Sequence, residues 1–300
     1  MHPAPSIILF TTISGLGFGF LFWLGLFGWN DAGLVKSWII ALVGGGVAAG
    51  GLSFSLGHLG HPERAWMALS QWRSSWLSRE GVAAVFCLMI FGLWCAARLF
   101  LGVQIPLVGL LVALGSAGTV YTTSMIYTQL KTVPRWNHFL TPVLFLATAA
   151  ASGSVLYALL VNPDLVWLAL VLVLVALGVQ IAWRVAAGNQ VMAMGGTPES
   201  ATGLGNLGKV RLFEKPHSGK NYLLTEMVHQ IGRKHAQRLQ RLSIGLNAIG
   251  APVALLLALV FGQAWLLALA LVCLIAGTLA SRWLFFAEAE HVVGLYYGKR

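Results

Sequence analysis

Between two apolar blocks the chain carries SLGHLGHPERAWMALSQWRSSWLSREG, residues 55–81, which holds two histidines, three arginines, two glutamates and three tryptophans. The whole chain has only nine Asp and Glu residues, so two in this stretch ask for a reason. His58 ends the preceding apolar block and Glu80 starts the next one. If both blocks cross a membrane, the imidazole and the carboxyl reach the same edge on antiparallel neighbours and can share one pocket. A histidine donates a hydrogen bond and exchanges a proton near neutral pH, and a carboxylate beside it relays that proton to water. A quinone headgroup, ubiquinone or menaquinone, suits such a pocket: its carbonyl oxygens need donors and its two-electron chemistry moves two protons. The intervening Arg64, Arg73, Trp66, Trp72 and Trp76 serve either to hold a headgroup or as an ordinary aromatic and cationic belt at the interface.

These groups must be positioned by helices in a bilayer. Hydrophobic residues make up 58% of the chain and charged residues 9%, and the apolar residues come in long runs without amphipathic spacing. A hydrocarbon core of about 30 Å takes roughly 20 helical residues. Eight blocks meet that length, near 6–28, 38–57, 82–102, 106–127, 139–161, 164–184, 242–262 and 264–286. The expected architecture is an all-α integral membrane protein, a single domain over 1–300 built as an eight-helix bundle. The first block lacks a basic leader and is too long for a cleaved signal peptide, so it is expected to remain as a span.

A formal charge of +10 resembles a nucleic-acid signature until the charges are assigned to loops. Arg64, Arg73 and Arg79 follow the second block, and Lys131 and Arg135 follow the fourth. A run from Arg184 to Arg241 follows the sixth, whereas the alternate loops hold little beyond Lys36 and Arg98. Positive charge marks the cytoplasmic side, so the pattern predicts a multi-pass protein of the bacterial inner membrane with both termini inside, and no nucleic-acid partner. The eight histidines all lie near that side.

The loop at 185–241 opens with a Gly-rich half, in which GLGNLG follows no strand and matches no phosphate cradle. Its second half, NYLLTEMVHQIGRKHAQRLQRL, reads as an amphipathic helix on the membrane surface or under a partner. Arg282, Glu288 and His291 at the end of the last block read as an interfacial cap, with a Glu288–His291 relay or ligand pair as the other possibility. Cys87, Cys95 and Cys273 sit in apolar blocks without C-x-x-C pairing, which gives no support for an iron–sulfur or zinc site; no metal ligands are assigned. A secondary transporter would use the glycines of SGLGFGF and GGGVAAGG to break helices around a midplane site, but those glycines equally allow close helix packing.

The HLGHPERAWMALSQWRSSWLSRE segment resembles the signature of the dimethyl sulfoxide reductase anchor-subunit family, and YTQLKTVPRWNHFLTP, residues 127–142, resembles that family's second motif in the same order. The resemblance implies a haem-free, quinone-reactive membrane anchor docked to an iron–sulfur subunit and a molybdopterin catalytic subunit. It places the quinone-associated histidine and glutamate on His58 and Glu80, adds Tyr127 and, more weakly, Arg79 to the headgroup site, and leaves Lys131, Arg135 and Trp136 for docking. The inverted loop charges and the long sixth loop depart from the anchors of dimethyl sulfoxide reductases, which oxidise quinol. They resemble the anchor of cytoplasmic-facing sulfite dehydrogenases, which pass electrons from substrate to quinone, a form of sulfur respiration. The topology is checked by reporter fusions: alkaline phosphatase joined after residue 262 is expected to be active, and joined after residue 300 inactive, with the reverse pattern overturning the orientation.

Overall fold

The computed structural model describes residues 4–30, 32–58, 61–193, 197–211, 213–214 and 235–297; the side chains at 58, 62, 192–193 and 295–297 lie outside that description. Among the described residues, eight helices are long and apolar enough to cross a bilayer. They are α1 (Pro5–Phe27), α2 (Leu34–Ser53), α3 (Trp76–Leu101), α4 (Pro106–Thr128), α5 (Leu140–Leu160), α6 (Val166–Ala193), α7 (Ala236–Phe261) and α8 (Ala264–Ala287). All described regular structure is helical, as expected for a chain whose backbone polar groups must be satisfied within each span.

The apolar blocks locate every span, while the ends move for identifiable reasons. Helix α3 begins at Trp76, six residues before its apolar block, because Ser75 takes the N-cap position and accepts from the Ser78 amide. Glu80 therefore lies inside the first turns of a helix and not at its entrance. Helix α6 continues past Arg184 to Ala193, and α7 starts already at Ala236, so the connection between them is shorter than hydropathy alone indicates. The expected surface helix at 221–242 falls mostly outside the described residues; its last part is the first turns of α7. Pro252 has no N–H to give the preceding turn, and α7 widens just before it into a π turn at Leu246–Gly250.

Helix α1 is the hub, packed against α2, α4, α5 and α8. Its glycines explain how one helix serves so many neighbours. A Cβ added to Gly153 of α5 would run into the backbone of Gly19, and one added to Gly25 would run into the carbonyl of Gly109 in α4. In a bilayer there is no hydrophobic drive between spans, so backbone-to-backbone approach at small residues supplies the contact. The glycine runs thus act as packing surfaces, which removes the main sequence feature in favour of broken transporter helices.

Helices α3 and α4 pair antiparallel in rungs seven residues apart. Glu80 meets Thr123, Cys87 meets Ser116 with 3.4 Å between sulfur and oxygen, and Trp94 covers Gly109. A repeat of seven keeps one seam of each helix facing the other. Replacing Gly153 with leucine should lower stability by at least about 1–3 kcal/mol and deplete folded protein, while Gly118→Ala, where nothing lies within 4 Å of an added Cβ, should be tolerated; thermal unfolding in detergent distinguishes the two.

Candidate functional site

At the end of the bundle where α2 leaves and α3 enters, residues 54–58 and 61–75 fold back over the helices. A 3-10 turn at Phe54–His58 lies against α1 and α2, and a second 3-10 segment, Pro62–Gln71, lies across the start of α3. Leu69 rests on Gly81, where any side chain would meet its Cδ2 at 2.7 Å. Trp66, Met67 and Trp72 point outward and are exposed. His58 closes the first 3-10 turn, but its imidazole lies outside the described residues. His61 is exposed and bonds Glu63 at 2.9 Å.

Beneath this cover Glu80 is only 4% exposed. The Thr123 hydroxyl of α4 donates to Glu80 Oε1, and also lies 2.9 Å from its own helix carbonyl at Thr119. A threonine has one hydroxyl hydrogen. Thr123 can donate to a carboxylate, or accept from a carboxylic acid while donating to Thr119, so the contact survives both protonation states of Glu80. Among the described residues no cation forms a salt bridge with Glu80. Arg79, its chain neighbour, is directed elsewhere: its guanidinium donates to the Trp72 and Arg73 carbonyls at 2.9 and 2.7 Å and lies 4.3 Å from the Trp76 ring centroid. There it ties the end of the covering segment to α3.

Tyr127 lies one turn beyond Thr123 on α4 and is buried among Trp136, Phe145, Phe285 and Phe286, with ring centroids 5.3–5.7 Å away. Its ring stacks on Phe145, the ring that Arg282 covers, and Thr123 one turn away on the same helix bonds Glu80. Arg282 is 3% exposed, donates to Thr148 Oγ1 at 3.0 Å and lies 3.5 Å from the centroid of Phe145. It is an internal cation of the bundle, which corrects the expectation of an interfacial cap; its aromatic and hydroxyl partners allow it to stay inside. The hydroxyl ladder Thr119–Thr123–Tyr127 at helical spacing was a legible signal that sequence reading passed over, whereas the approach of Arg282 to α4 and α5 had no local signature.

The remaining expected groups separate by role. Trp136 is 3% exposed, donates to the Phe285 carbonyl at 2.8 Å and stacks on that ring, so it is part of the core and not of a docking surface. Arg135 turns toward Glu288, and Lys131 is exposed. Glu288 accepts from Arg184 at 2.7 Å, which joins the end of α8 to α6 as an interfacial cap does. Because α8 stops at Ala287, Glu288 and His291 do not share a helical face. His138 Nδ1 accepts from the Leu140 amide and His291 Nδ1 from the Val293 amide, both at 3.1 Å. Burial lowers the pKa of each, so both remain neutral caps at pH 7.

One turn deeper on α4 than Thr123, an apolar cavity of about 160 Å³ opens between α1, α4 and α5. Phe18, Phe22, Val120 and Leu146 line it, with Ser116 as a polar contributor.

Residues 1–288 match the family described as DMSO reductase anchor subunit (DmsC). A sulfite dehydrogenase subunit of Allochromatium vinosum is 31% identical over 330 aligned positions, which cover 99% of both chains. With eight spans in one bundle and a match running from the first helix to the end of the last, the chain belongs to the DMSO reductase anchor-subunit family.

Proposed function

We infer that this chain is the quinone-reactive anchor of a molybdopterin and iron–sulfur oxidoreductase complex, passing electrons between a docked iron–sulfur subunit and the quinone pool. The observation that carries this reading is a carboxyl group buried at one end of a membrane bundle, held by a hydroxyl and matched by no salt bridge among the described residues. An ionisable group in that position is costly and marks a functional site. The similarity to a sulfite dehydrogenase subunit over nearly the whole chain supports sulfite oxidation with quinone reduction as the direction.

The residues present fit a quinone headgroup. Glu80 supplies a proton-exchanging carboxyl that Thr123 orients, Tyr127 places a phenolic group one turn away, and His58 at the close of the facing turn is the second donor in this proposal. Bound there, a quinone accepts two electrons and two protons. Glu80 gives up a proton to the nearer carbonyl oxygen and His58 gives up one to the other, and both groups are recharged from the aqueous side. The apolar cavity along α1, α4 and α5 suits an alkyl tail, and the loop charges favour the cytoplasmic face of the inner membrane for this end of the bundle and for both termini. Arg79 serves by fixing the cover over the site.

In the assembled complex, Glu80→Gln keeps the size and the Thr123 contact but removes the titratable group, and quinone-linked electron transfer should fall on the order of 100-fold. Thr123→Val should cost about 0.5–1.5 kcal/mol in positioning, a several-fold effect. Electron transfer from the molybdopterin subunit to its iron–sulfur partner should be unchanged in both. Unaltered quinone turnover in Glu80→Gln complex would remove the basis of this function.

A further inference from the structure

Glu80 is shut off from the edge by its cover, yet a site that protonates a quinone must be resupplied. On the opposite flank of Arg282, the bundle contains polar side chains that packing does not explain. Asn247 Nδ2 donates to Gln180 Oε1 at 3.0 Å, Gln180 Nε2 donates to Ser243 Oγ at 3.0 Å, and Ser243 donates to the Gly277 carbonyl at 2.8 Å. Asn247 is 6% exposed, and among the described residues its Oδ1 has no hydrogen-bond partner; neither has the buried Nε of Arg282. Such groups are costly in hydrocarbon surroundings, and a buried acceptor in a polar-lined space is what an internal water satisfies.

Two small cavities lie in series along this seam. The inner one is lined by Thr148, Gln180, Asn247 and Thr278, and the outer one by Gln180, Ser243, Arg184 and Gln240. Each has room for about one water molecule, and Gln180 borders both. The outer cavity ends at Arg184, which binds Gln240 at 3.0 Å and Glu288 at 2.7 Å; the inner one ends at Thr148, the acceptor of Arg282. The π turn of α7 carries Asn247, at a place where such turns often serve function.

We propose that this seam between α5, α6, α7 and α8 is a hydrated proton path, leading from the Arg184–Gln240–Glu288 cluster past Gln180 and Asn247 to Thr148 and Arg282, and through Tyr127 to Glu80. The path rests on the quinone reaction inferred above, whose protons it delivers. Water carries the proton, and Gln180, Asn247 and Ser243 orient the waters without holding it. For every proton that Glu80 gives up, one enters at the outer cluster. The positive charge of Arg282 at the inner end repels an excess proton, so transfer is favoured only when negative charge lies beyond it, as on an ionised Glu80.

Radiolytic hydroxyl labelling of the assembled complex in its membrane, read by mass spectrometry, reports water next to buried side chains independently of activity. Leu177 and Leu274, which line the inner cavity, should be labelled in the unaltered complex and lose that label in Asn247→Leu and in the near-isosteric Thr278→Val. Both variants should slow quinone turnover by about tenfold while binding a short-chain ubiquinone analogue with unchanged affinity. Absence of label at both leucines in the unaltered complex overturns the path, as does loss of label in Thr278→Val with no change in turnover. If the label is present but Glu80→Gln turns over normally, the water seam stands and the quinone reading fails.

Discussion

Glu80 and Arg282 are ionisable groups buried in one bundle, each held by a hydroxyl from a neighbouring helix, and much of the structure serves to supply those partners. In a medium of low dielectric each would cost several kcal/mol as an unpartnered charge. Helix α4 presents Thr123 to the carboxyl; α5 presents Thr148 and the face of Phe145 to the guanidinium. The placement of α4 and α5 in turn depends on α1, whose glycines admit both backbones at close range. A methyl group at Gly19, Gly25 or Gly153 would act on the site through this chain of contacts, far from the charges themselves.

The same economy of partners governs the edge of the bundle. Residues 133–136 dip inward, so that Val133 is buried and Trp136 packs on Phe285, while Arg135 reaches Glu288. Glu288 then joins the last turn of α8 to Arg184 of α6. His138 and His291 accept backbone amides, and the pKa of each is lowered by burial, which makes them structural groups in a region where histidine invites a catalytic reading. At the other edge the two cations have a similar use, with Lys36 donating to the Val161 carbonyl and Arg98 to that of Ala32.

In the proposed function, the place of Glu80 at the end of the bundle where positive loop charge collects has a consequence. Protons and electrons that meet at the same face neutralise one another without crossing the bilayer, so the proposed quinone reaction is close to electroneutral.

Composition and block length alone determined the class, the eight spans and the side on which positive charge collects, because apolar runs of about twenty residues have one stable solution in a bilayer. The pairing of Glu80 with His58 across one connection singled it out, and the resemblance of the surrounding motif selected the same residue. Tertiary structure decided what Glu80 meets. Thr123 lies opposite because the α3–α4 seam repeats every seven residues, and Arg282 stays inside because Thr148 and Phe145 arrive from another helix. It also assigned Trp136 to the core, Arg79 to the corner of the cover and Asn247 to an internal seam. Hydropathy records whether a residue can enter the membrane, but a polar side chain's partner lies on a different span, and only the packing of spans brings the two together.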